Sequence, residues 1–79
     1  MFIPKESILQ KMRKQMKELR DHDRYAIEDG LDAAYYCVYH MPMTTTRAEV
    51  AKHLRAMKDC APSDLYATGV QLGINCLAM

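Results

Sequence analysis

Apolar residues recur at intervals of three and four along nearly the whole chain, and that spacing points to helices. The first set is Ile8, Leu9, Met12, Met16 and Leu19. A second set is Ile27, Leu31, Ala34, Tyr35 and Val38, and a third is Val50, Leu54, Met57 and Ala61. The fourth has two adjacent stripes, Leu65, Gly69, Leu72 and Cys76 beside Tyr66, Val70, Gly73 and Leu77. The pattern predicts an all-α fold, a compact bundle of about four helices in a single domain over residues 1–79, with the second helix at its centre.

Punctuation between the sets places the helix ends. Pro4 suits a first helical position, because its missing N–H would be unbonded there. Helix one is expected over about Pro4 to Arg20, and Asp21-His22-Asp23 interrupts it. Asp23 is a candidate N-cap for helix two, about Arg24 to His40. Pro42 disfavours helix at Met41, so Met41 to Thr45 reads as a loop. Thr46-Arg47-Ala48-Glu49 fits a capping box and opens helix three. Cys60-Ala61-Pro62-Ser63 is the last turn, and Ser63 caps helix four, Asp64 to about Leu77. Two glycines and several β-branched residues weaken that last helix, and an extended run over 69–77 is its alternative.

Small residues mark a packing surface. Ala26, Gly30, Ala33 and Cys37 line one side of helix two, where another helix can approach closely. Gly69 and Gly73, four apart, read as tight packing against that side. Gly30 costs about 1 kcal/mol against alanine in a helix interior, so a packing reason is expected for it.

With 79 residues the core is thin, and association would help it. Half of the residues are apolar and about a quarter charged, which excludes disorder. The net charge of +1 gives no general field for nucleic acid or membrane. All eleven Lys and Arg nevertheless lie between Lys5 and Lys58. Residues 1–24 carry seven of them against four carboxylates. Three cysteines, Cys37, Cys60 and Cys76, without a CxxC pair, suit reduced, largely buried thiols in a cytoplasmic protein. Met1-Phe2-Ile3-Pro4 runs straight into charge, so no signal peptide is expected. The uncharged run from Leu65 is too short and too polar for a membrane span.

Three surfaces are candidates for function. On helix one, Arg13, Lys17, Arg20 and Arg24 would form a basic stripe if the helix ran that far, suited to phosphate or an acidic protein surface. The plainer reading, a solvated face, is preferred. On helix two, Tyr25, Asp29, Asp32, Tyr36 and Tyr39 line the side away from the core. Tyrosine offers large contact area at low entropy cost, so this stripe is the leading protein-binding candidate. It is equally readable as a face covered by helix one or three. It also suits the basic helix of the same chain or of a second copy. Thirdly, helices three and four resemble a helix-turn-helix in outline. Helix four offers only Gln71 and Asn75 toward bases and starts with Asp64, so two ordinary packed helices are preferred.

Other chemistry finds little support. Cys37, His40, His53 and Cys60 have no recognised zinc spacing, and no metal or other cofactor is expected. No phosphate loop, nucleophile elbow or metal-hydrolase motif is present, so no enzyme activity is expected. Met12, Met16 and Met57 fall on core stripes, whereas Met41 and Met43 flank Pro42 and are expected to be exposed. The sequence thus points to a small cytoplasmic regulator or inhibitor that occupies the surface of a protein partner, a homodimer being a further option. A nucleic-acid-binding regulator with a degenerate helix-turn-helix is the alternative. Small chains of this type are frequent in phages and mobile elements, an expectation from size alone.

Overall fold

A computed structural model describes residues 5–78. They form α1 (Lys5–Asp21), α2 (Tyr25–Tyr39), α3 (Arg47–Asp59) and α4 (Asp64–Asn75). The fold is an all-α compact globule, with no β-strand among the described residues. The expected start of helix one at Pro4 lies outside those residues. No helix among them is long and apolar enough to cross a membrane.

The ends show which local signals act. Thr46 accepts from the Glu49 N–H at 3.3 Å and Ser63 from the Tyr66 N–H at 3.1 Å, so both expected caps form. The Glu49 carboxylate accepts a hydrogen bond from the Thr45 hydroxyl at 3.3 Å. The expected cap at Asp23 is corrected: Arg24 is the N-cap of α2, and no side chain caps it. Asp23 instead ends α1. It sits at φ 57°, the left-handed conformation that closes many helices. The Asp23 N–H reaches the Arg20 carbonyl at 3.1 Å and the Arg24 N–H the Leu19 carbonyl at 2.8 Å. This bond pair is the Schellman pattern, and it satisfies carbonyls that the helix leaves open.

Lys5 fixes how α1 lies on α2. Its ammonium donates to the Tyr39 and Met41 carbonyls, each at 2.7 Å, at the C-terminal end of α2. At the other end, Arg20 meets Glu28 at 2.7 Å. The two helices therefore form an antiparallel hairpin. α4 runs in the same direction as α2, with Gly69 against Gly30 and Gly73 against Ala34. The backbones touch there, and a Cβ on Gly30 would fall on the Tyr66 carbonyl. Thus α4 is helical through both glycines, and the extended alternative for 69–77 is overturned. α3 returns along α4: Lys58 donates to Gln71 at 2.7 Å and Arg47 bonds the Leu77 carbonyl.

The α2–α4 pair is central, α1 flanks it on the α2 side and α3 on the α4 side; α2 touches all three partners. Ile8, Leu9, Met12, Leu31, Val38, Val50, Leu54 and Val70 form the sealed interior. Of the expected inward positions two are exposed, Ala26 on the small-residue side of α2 and Leu65 on α4. Leu65 is 52% exposed, although Tyr66 beside it packs against the core. Met43 is exposed as expected, whereas Met41 is half-buried against the core.

Candidate interaction surface

The α1–α2 hairpin brings the two leading surface stripes together. On α2, Tyr25, Tyr36 and Tyr39 remain 55%, 52% and 52% exposed, and Asp29 is exposed beside them. Asp32 is half-buried, on the α1 side. On α1, Arg13, Lys17 and Arg20 point outward. Between the rows lies an open cleft of about 450 Å³ whose walls include Arg13, Lys17, Arg20, Asp32, Tyr35 and Tyr36.

Arg24 does not join this row. α1 stops at Asp21, and the Asp23 turn directs Arg24 into a separate cleft with Gln15, Glu18, Leu19, His22 and Leu72. The basic face is therefore three residues of α1, with Arg24 outside it.

Several of these charges already have partners. Arg20 meets one Glu28 oxygen through two nitrogens, at 2.7 and 2.8 Å. The Glu28 hydrogen bond, then its charge, hold the guanidinium still more firmly protonated than usual. Lys17 pairs with Asp21 at 3.6 Å, the two side chains being 78% and 57% exposed. A pair so exposed contributes about 0–1 kcal/mol, so it can exchange partners at little cost. Arg13 donates to the Tyr35 hydroxyl at 3.1 Å.

The rings form a connected cluster. Tyr35 stands edge-on to Tyr36, centroids 5.5 Å apart, and stacks with Tyr39 at 6.1 Å. His40 stands edge-on to Tyr39 at 5.2 Å, and the Lys5 ammonium lies 5.9 Å from the Tyr39 ring. Sequence reasoning missed Lys5, Glu28 and His40 as members of this surface. The short connection between helices one and two was the available signal, because it makes antiparallel neighbours of them. Tyr25 is a more isolated member, its hydroxyl donating to Asp23 at 3.0 Å.

The remaining candidates lie elsewhere. Gln71 donates to Asn75 at 2.9 Å and accepts from Lys58, so the two amides of α4 are engaged with neighbours. Among the described residues no three His, Cys, Asp or Glu side chains gather as a metal site. The expectation of largely buried thiols is corrected: Cys76 is buried, Cys37 half-buried and Cys60 exposed.

Burial pushes the thiols of Cys37 and Cys76 above the ordinary value of 9.0, and Lys11 partly offsets this at Cys76. A raised folded-state value means that the folded chain holds the thiol proton more tightly than the unfolded chain. The stability so contributed is fully present below the ordinary value and is lost as pH rises through the raised values. The urea midpoint should therefore hold up to about pH 9 and fall as pH rises above it. Cys76→Ala should show a shallower fall than the parent chain, and equal slopes would remove the thiol from the explanation.

Comparison with known proteins gives no relative from which a role can be transferred: no family model, no curated protein and no solved structure matches the chain.

Proposed function

We propose that the chain is a small protein-binding regulator or inhibitor that covers part of a partner protein's surface with its α1–α2 face. The observation that carries this reading is the exposed tyrosine row on a packed helix. Tyr36 and Tyr39 are half exposed although their rings touch Tyr35, which is buried. A tyrosine held by its neighbours loses little freedom on binding and still offers a ring and a hydroxyl. The flanking Arg13, Lys17 and Asp29 supply polar contacts around the rings, the usual layout of an interface rim.

Nucleic acid is the less favoured ligand for this face. On this face Lys5, Arg13, Lys17 and Arg20 are matched in number by Asp21, Glu28, Asp29 and Asp32, so the face itself carries no excess of positive charge for phosphate.

Affinity capture tests the proposal. The immobilised chain should retain one defined protein from its native lysate. Retention should drop at least about tenfold for the Tyr36→Ala, Tyr39→Ala double variant, as for loss of interface anchors. Helicity by circular dichroism should stay unchanged. Equal retention by the double variant would sink the assignment to this face. Binding of a generic duplex that weakens steeply with salt would favour the nucleic-acid reading instead.

A further inference from the structure

Resting on the reading of the α1–α2 face as an interaction surface, we infer that this face pairs with the same face of a second copy of the chain. The pair is related by a two-fold axis running along the cleft between α1 and α2. Such an isologous contact requires a surface that complements itself. This one has a cationic half on α1, Arg13, Lys17 and Arg20, and an acidic half on α2, Asp29 and Asp32.

The levels of these residues along the hairpin match. Arg20 reaches Glu28 across the helices, which sets it beside the first turns of α2, near Asp29. Lys17 shares the cleft with Asp32, one turn further along both helices. A two-fold axis parallel to the hairpin exchanges the positions of α1 and α2 and keeps every residue at its own level. Lys17 of each copy then faces Asp32 of the other, and Arg20 faces Asp29. Each attraction occurs twice. Tyr36, which lines the cleft and is half exposed, falls close to the axis, where it meets its own counterpart.

Charge balance selects this occupant. A strongly acidic or basic partner would gain at one half of the face and lose at the other. A second copy gains at both halves. The exposed Lys17–Asp21 pair is weak enough to give up its lysine.

Light scattering after size exclusion, at low ionic strength and about 100 μM chain, gives the test. The parent chain should be a dimer. Lys17→Glu alone and Asp32→Lys alone each set like charges opposite one another at both contacts. Each should dissociate at least about tenfold more readily, since two attractions become repulsions. Mixed in equal amounts they should dimerise again. In the mixed pair, the carboxylate introduced at 17 faces the ammonium introduced at 32, and the native Lys17 faces the native Asp32. Circular dichroism checks folding, and Arg20→Glu with Asp29→Lys serves as the second pair. A monomeric parent chain, variants that still dimerise alone, or a folded mixture that stays monomeric would each overturn the inference. A monomer that retains a different protein through Tyr36 would overturn it and leave the proposed function standing. A dimer rescued on mixing that captures no other protein would do the reverse.

Discussion

Gly69→Ala is expected to lower stability by about 2 kcal/mol or more, although alanine is the better helix former by about 1 kcal/mol. The reason is what the added methyl would meet. It would fall on the Ile27 carbonyl, 2.6 Å from the Leu31 nitrogen and 2.8 Å from the Gly30 Cα. All three are backbone of α2, which cannot step aside as a flexible side chain can. The two central helices must separate, and a close-packed interior transmits that shift to its neighbours. Urea unfolding followed by circular dichroism measures the loss. Gly73→Ala is the internal comparison. Its methyl would meet the Ala34 methyl at 2.8 Å and the flexible end of Met12 at 3.4 Å, so its loss should be smaller. A neutral or stabilising Gly69→Ala would mean that α2 and α4 are not in backbone contact.

Leu31→Ala should cost about 2–5 kcal/mol, the range for emptying a buried leucine site. Leu31 is fully buried on the central helix, and its side chain also lies near Gly73, on α4. For a domain of this size the whole stability is on the order of 5–10 kcal/mol, so the variant should be partly unfolded near body temperature. Leu65→Ala removes the same side chain from a half-exposed position at the edge of α4 and should change stability by no more than about 0.5 kcal/mol. Thermal melts of the two variants compare them directly, and similar melting points would contradict the placement of the core.

The helices were legible because their signals are local. Thr46 and Ser63 cap within three residues of themselves, and both were identified from sequence. Asp23 was misread because aspartate suits either end of a helix. It can cap the next helix with its carboxylate or close the previous one in a left-handed conformation. Only the bonds back to Leu19 and Arg20 decide between the two. Leu65 was misread for another reason: spacing identifies a face, but does not say how far around the helix its neighbours reach.

The surface was legible in pieces. Spacing on α2 placed Tyr25, Tyr36 and Tyr39 outside, and they are exposed. Spacing on α1 placed Arg13, Lys17 and Arg20 on one side, and they are exposed as well. Arg24 was attached to that row on the condition that the helix continued, and the turn at Asp23 breaks the condition. That rings and cations share one cleft was one of several options in the sequence, because the residues are separated along the chain and packing sets which faces meet.

What the sequence by itself determined is the all-α architecture, the caps at Thr46 and Ser63, and the inner and outer faces of each helix. Period, capping and solvation act over a few residues, so they can be read one segment at a time. The tertiary structure alone decided the level at which α1 lies against α2 and the backbone contact between Gly30 and Gly69. It also decided that the basic and tyrosine rows form one nearly neutral face. Those depend on how four helices fill a common interior, and packing is settled between segments.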